Sequence, residues 1–357
     1  MSRVLTAALF LCLHSALGQG SLRPCTTVPL NLSVSHEAPS QVFGIDICVQ
    51  GGSEVPFEFD HFESINNRAA NFMLVSRSRQ VAPATVRIAL NPNVIQQLPP
   101  GPYGVQVVFR SVGQSQPSGA ERTVVLTLQP PPAPQVRSVV SSASGATAGS
   151  PGELVSIRGV SLAPPGVQAS YDEIGRYPTV IAGTSVSFGG IEAPILTATP
   201  DRIDTMIPYG VKVPGPVDVV VKRWTQSSAP FSIRLGDTSP AIFNIQDLGY
   251  SPNTAENPVE KGSFVILYAT GAGAWNPPVL DNEVSAGPTS FTAKPLVLSI
   301  GGQPARIYYA GSAPYRLWGM QQIIAFVPTG IDSGAQPVVL KIGENDNAAQ
   351  QTVLWVK

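Results

Sequence analysis

Val86-Arg-Ile-Ala-Leu90 puts Val86, Ile88 and Leu90 on one side of an extended chain and Arg87 and Ala89 on the other. Period-two hydrophobicity with β-branched residues marks a strand with one buried face. The same alternation returns in Val105-Gln-Val-Val-Phe109, Thr123-Val-Val-Leu-Thr-Leu128, Val217-Asp-Val-Val-Val221, Phe231-Ser-Ile-Arg-Leu235 and Val338-Val-Leu-Lys-Ile342. Between such runs stand turn signals, among them Pro99-Pro-Gly101, Gly189-Gly190 and Gly301-Gly302. Sustained helical periodicity is scarce. Many short strands with regular turns predict an all-β chain of stacked sheets.

The chain divides at its prolines. Gln129-Pro-Pro-Pro-Ala-Pro134 cannot donate to a ladder at four positions and favours an extended conformation, so it reads as a stiff spacer. Gly236-Asp-Thr-Ser-Pro240 follows one strand and precedes the apolar start of another. The expected domains are therefore residues 19–130, 135–236 and 240–357. The last two match each other. Pro151-Gly-Glu-Leu-Val-Ser-Ile-Arg-Gly159 aligns with Lys261-Gly-Ser-Phe-Val-Ile-Leu-Tyr-Ala-Thr-Gly271, and Val186-Ser-Phe-Gly-Gly190 with Leu298-Ser-Ile-Gly-Gly302. Met206-Ile-Pro208 then aligns with Phe326-Val-Pro328, and Pro216-Val-Asp-Val-Val-Val221 with Pro337-Val-Val-Leu-Lys-Ile342. Ordered matches of this kind indicate a duplicated domain. What repeats is glycine, proline and apolar alternation, with no polar triad.

Lys and Arg number 22 against 23 Asp and Glu, and charged residues make up only 13% of the chain. Without a basic face there is no grip on phosphates, so neither nucleic acid nor an anionic membrane surface is an expected partner. Met1-Ser-Arg3, the apolar run Val4 to Leu13 and Ala16-Leu-Gly18 have the anatomy of a secretory signal peptide covering residues 1–18. No later apolar stretch is long enough to span a bilayer. The expected mature protein is exported, extracellular or periplasmic, with no transmembrane segment. Its remaining cysteines, Cys25 and Cys48, suggest one disulfide in an oxidising compartment, two buried thiols being the alternative.

Catalytic constellations are sparse. The sequence contains no His-Glu-x-x-His, Gly-x-Ser-x-Gly or phosphate-binding glycine loop. After the leader only His36 and His61 remain as imidazoles, which predicts no enzyme, no cofactor and no metal site. His36, in a polar stretch, reads as solvated. The densest polar cluster is Phe57-Glu-Phe-Asp-His-Phe-Glu63. As a regular strand it puts Phe57, Phe59 and His61 on one face and Glu58, Asp60 and Phe62 on the other. Glu58 and Asp60 could then act as paired carboxylates of a carbohydrate-active hydrolase or hold calcium. The plainer reading is a charged edge that discourages aggregation. The candidate binding residues are aromatic: Trp224, Trp275 and Trp318, with Tyr171, Tyr177 and Tyr315 in segments that read as loops. Such rings stack on sugars or anchor a protein partner, and equally they cap sandwich ends or fill domain contacts. Trp355, alternating with Val353, reads as core. Strand alternation also leaves an outer-membrane barrel to be considered, against which the 35 prolines speak.

The stretch from about 135 to 357 resembles the C-terminal region named for uncharacterised secreted proteins of Solibacter and related Acidobacteria. Its two units are similar to immunoglobulin-like sandwiches of the IPT/TIG type. The residues that carry the resemblance include Ser150-Pro-Gly-Glu-Leu-Val-Ser-Ile-Arg-Gly159, Gly189-Gly-Ile-Glu-Ala-Pro194, Ile207-Pro-Tyr-Gly210, Pro240-Ala-Ile-Phe243 and Gly262-Ser-Phe-Val-Ile-Leu-Tyr-Ala-Thr-Gly271. The first domain resembles the BACON-type module in Pro83-Ala-Thr-Val-Arg-Ile-Ala-Leu-Asn-Pro92 and Leu98-Pro-Pro-Gly-Pro-Tyr-Gly-Val-Gln-Val-Val-Phe109. The resemblance implies three tandem immunoglobulin-like β-sandwich domains in an exported bacterial protein, and it implies no activity. By analogy it adds carbohydrate contact for the first module. The expected function is a non-enzymatic binding or structural protein of the cell envelope or extracellular space, with a glycan or protein ligand.

Overall fold

The structure, a computed structural model, describes residues 20–37, 41–52, 54–66, 71–76, 78–114, 118–147, 149–165, 167–287 and 290–357. The leader read at residues 1–18 lies outside them. Among the described residues the only helical elements are Pro92–Ile95 and a 3-10 turn at Ala348–Gln350. No helix among the described residues is long and apolar enough to cross a membrane. Two compact units divide between Gln129 and Pro130, with Gln97–Pro99 grouped with the second.

The first unit is sandwich 1. One sheet runs Ser21–Pro24, Val42–Gln50, Ala84–Leu90, Met73–Val75, and the other Leu30–Ser35, Gly119–Gln129, Gly101–Ser111, Val55–Ser64, Gln80–Ala82. Alternation decides which side chains are buried: Val86, Ile88 and Leu90 of one sheet, and Val105, Val107, Phe109 and Leu126 of the other, are buried. Leu30–Ser35 pairs with Gly119–Gln129 in parallel, and the unit's other ladders among the described residues are antiparallel. Cys25 and Cys48 form a disulfide with Cα atoms 5.0 Å apart. His36 is buried, with Nδ1 2.6 Å from the Gln129 carbonyl. That corrects the solvated reading: the polar stretch around it ends a strand whose last residues pair with the end of Gly119–Gln129.

The second unit contains sandwiches 2 and 3. Sandwich 2 faces the sheet Gln135–Ser141, Leu154–Val160, Arg202–Met206, Ile195–Ala198, Val167–Gln168 against a sheet centred on Thr184–Phe188, Gly215–Arg223 and Phe231–Leu235. Ile157, Ile195 and Ile203 from the first meet Val186, Phe188, Val219 and Val221 from the second in one core. Each such fully buried side chain stabilises the fold by roughly 1.5–3 kcal/mol. Sandwich 3 repeats the plan. Ala241–Asp247, Phe264–Thr270, Gln321–Phe326 and Ile307–Ser312 face a sheet centred on Leu296–Ile300, Gly334–Ile342 and Val353–Val356, over a core that includes Leu267, Ile300, Ile323 and Leu340. Every sheet ends in edge strands rather than closing on itself, which removes the barrel alternative. Trp355 is only half-buried, because Leu354 and Val356 are the inward residues of its strand. Val353 and Trp355 do share a face, and it is the outer one.

The duplication holds to the level of register. Leu154 pairs with Met206, Ser156 with Asp204 and Arg158 with Arg202. The equivalent pairs of sandwich 3 are Phe264 with Phe326, Ile266 with Ile324 and Tyr268 with Gln322. Register shifts fall at equivalent places too, between Ile195 and Thr197 in one copy and between Ile307 and Tyr309 in the other.

Candidate functional site

Sandwiches 2 and 3 meet along a seam stitched by loops. Asp172 shapes the first of these, its Oδ1 accepting from the amides of Ile174 at 3.1 Å and Arg176 at 2.8 Å. A side-chain carboxylate that satisfies its own loop's amides fixes the loop as a turn. The next residues then lace onto sandwich 3. The Tyr177 amide donates to the Asn282 carbonyl and the Val284 amide to the Gly175 carbonyl, both at 2.8 Å. Arg176 donates from Nη2 (2.7 Å) and Nε (3.0 Å) to Glu283 Oε1. Behind them, Ser285 donates its amide to Arg316 and accepts from that of Tyr315.

Beneath these loops lies a second, smaller core. Leu154 and Met206 from sandwich 2 pack with Leu317 from sandwich 3, flanked by Leu196, Tyr209, Phe243 and Met320. Trp275, 4% exposed, donates its indole N–H to the Tyr209 hydroxyl at 2.7 Å and stands edge-on to Trp318 with ring centres 6.3 Å apart. Burial pushes the Tyr209 phenol well above its usual range. The Tyr209 amide donates to Asp281, whose carboxyl is raised by its own burial. Close approach requires small residues here. A Cβ at Gly319 would lie 2.4 Å from the Gly152 carbonyl oxygen and 2.7 Å from Met206 Sδ.

The six aromatic candidates separate accordingly. Trp275 and Trp318 are buried in the seam and offer no ring to a ligand. Trp224 turns a hairpin at φ +55, its ring against Gly183. Tyr171 and Tyr177 come together on the seam's surface, edge to face at 5.7 Å, with Tyr171 54% exposed. Partial burial, then the neighbouring Tyr171, raises the Tyr177 phenol. Tyr315, 76% exposed, leaves the adjoining loop at φ +58. The two paired tyrosines line an open cleft of about 490 Å³ with Asp172, Arg176, Thr179 and Asn282. Sequence reasoning did not single out Arg176, Tyr209, Asp281 and Glu283. The usable signal was divergence between the copies: Ile207-Pro-Tyr-Gly210 faces Val327-Pro-Thr-Gly330, so Tyr209 departs from an otherwise shared motif.

The acidic cluster of sandwich 1 takes a different form from the regular strand. Val55–Ser64 shifts register between Phe59 and His61, so Asp60 is the additional residue of a β-bulge. Every side chain after it changes face. Phe62 rejoins Phe59, ring centres 4.6 Å apart, and His61 turns outward to lie 3.1 Å from Asp60. Arg110, on the neighbouring strand, donates to Glu58 Oε1 from Nη2 at 2.7 Å and lies 3.8 Å from Asp60. The hydrogen bond to Glu58 is the main reason the guanidinium is held above its ordinary range. No group of three or more potential metal ligands occurs among the described residues.

No family model and no curated protein matches this chain. Among solved structures, PcdhgB3 EC1-4 is 9% identical at a TM-score of 0.24, covering 95% of this chain and 76% of that one. Mouse clustered PcdhgC3 EC1-3 is 11% identical, with a TM-score of 0.24 over 61% of this chain and 68% of that one. Domains 5-6 of the S-layer protein SbsC are 15% identical, with a TM-score of 0.21 over 62% of this chain and all of theirs. Likeness at this level carries no argument about what the chain binds.

Proposed function

We propose that this is an exported, non-enzymatic binding protein of the cell envelope or extracellular space, and that the Tyr171–Tyr177 cleft contacts a glycan ligand. The observation that carries the reading is an exposed Tyr171 ring set edge to face against a half-buried Tyr177, whose loop is held by a cross-sandwich ion pair and two backbone hydrogen bonds. Rings fixed before binding lose little freedom when a sugar stacks on them. Arg176, Asp172 and Asn282 beside them supply charged and amide groups for hydroxyls.

The hydrolase reading has less support. Glycosidase carboxylates face each other across a bond, one held protonated. Glu58 and Asp60 instead lie on one strand against a single guanidinium. The test is calorimetric titration of the mature chain with a panel of soluble polysaccharides and oligosaccharides. Tyr171→Ala is expected to weaken the best ligand at least about tenfold without altering the thermal melt. No heat with any glycan, or an unchanged affinity in the variant, overturns the reading.

A further inference from the structure

The two copies of the duplicated sandwich share their register and differ on one face. In sandwich 2 the middle of the outer face is polar and internally bonded: Asp204 accepts from Ser156 and Thr197 at 2.7 Å and from Arg202 at 2.8 Å. Val140 and Val160 also lie on this face, and at its end Leu154, Leu196 and Met206 are covered by sandwich 3. In sandwich 3 the same positions carry Ile266 and Ile324 in the middle and Phe264, Tyr308 and Phe326 at the end. Ile266 is buried at 2%, but Tyr308 is 74% exposed, and Phe264, Ile324 and Phe326 are half-buried. A partly exposed strip of isoleucine and aromatics, where the other copy carries a bonded polar network, is the kind of patch that marks an interaction surface.

We infer that two copies of this chain pair through the outer face of the sandwich 3 sheet Ala241–Asp247, Phe264–Thr270, Gln321–Phe326, Ile307–Ser312. The occupant follows from continuity with the seam. A cleft of about 430 Å³ is lined both by Phe243 and Met320, which cover sandwich 2, and by Gln246 and Tyr268 of the free face. The part of this strip already occupied holds a sandwich of the same repeat, and a second copy brings another. Two-fold pairing sets the isoleucines and aromatics of this face against their own copies, with Arg306 at its edge over the Phe326 ring at 5.3 Å. One other occupant fits less well. A membrane surface calls for a basic rim, and the chain's net charge is −1. A four-stranded face presents roughly 400 Å², from strand spacing and rise, so the expected dimer is reversible.

Sedimentation velocity of the mature chain from roughly 1 to 100 µM tests this, a range in which a dimer of micromolar affinity is resolved. The expected result is a concentration-dependent dimer, weakened at least about tenfold by Tyr308→Asp and unaffected by Tyr315→Asp, with matching circular dichroism throughout. A monomer across the whole range overturns the inference, as does a dimer that Tyr308→Asp leaves intact. Co-sedimentation of a monomeric chain with phosphatidylcholine vesicles or with insoluble cellulose, lost in Tyr308→Asp, also overturns it by assigning the face to lipid or to sugar. Glycan binding at Tyr171 is read separately, so either proposal fails without the other.

Discussion

Glu153 is fully buried, with Oε2 accepting from the amides of Gly149 at 2.8 Å and Ser150 at 3.2 Å. Loss of hydration pushes its carboxyl up to about 7 from 4.5, a rise that those amides and the hydroxyls of Ser141 and Ser239 only moderate. The sign follows from linkage. The folded protein holds this proton where the unfolded chain has released it, so stability is fully present below pH 4.5 and is lost as pH rises through about 7. The loss amounts to about 3 kcal/mol at 1.36 kcal/mol per pKa unit. Urea unfolding followed at acid and alkaline pH should show this fall, and Glu153→Gln should flatten it while keeping the acceptor for both amides. An unchanged slope in the variant would assign the pH dependence elsewhere. The equivalent position in sandwich 3 is Ser263, whose hydroxyl bonds the Glu260 carbonyl at 2.6 Å.

At the scale of elements, loop and bulge decide what strands alone leave open. The segment between Ile307–Ser312 and Gln321–Phe326 is longer than its sandwich 2 counterpart between Ile195–Ala198 and Arg202–Met206. Its added residues include Leu317, Trp318 and Gly319, which enter the seam. Gly319→Ala should therefore destabilise the second unit by about 1–3 kcal/mol, the usual cost of overpacking. Gly236→Ala, where the nearest atom to an added methyl group is 3.8 Å away, should leave stability nearly unchanged. Chemical denaturation of the two variants checks the contrast, and equal effects would mean that the loop yields. In sandwich 1 the single bulge at Asp60 reverses the facing of His61 and Phe62, an outcome no count of alternating residues contains.

Across the whole molecule, the two units differ in how they are held together. Sandwich 1 has the disulfide, which closes a separation of 23 residues and contributes about 3 kcal/mol in the chain-entropy model. Sandwiches 2 and 3 share buried side chains and hydrogen bonds, including Leu154 N–H to Thr270 Oγ1 at 2.9 Å. Scanning calorimetry should show two transitions, of which reduction lowers only one, by about 10 °C or more for a domain of this size. A shift of both, or three separate transitions, would contradict the division. The alternation in Val86-Arg-Ile-Ala-Leu90 and its counterparts determined the strands, the buried faces and the all-β class by itself, because period two leaves a strand only one way to hide its apolar side. The duplicated glycines and prolines likewise announced one fold used twice. Tertiary structure alone decided which tryptophans are hidden and which tyrosines are displayed. Loops 172–177, 281–285 and 315–320 are distant in the chain, and only their meeting in space determines which ring is left in water.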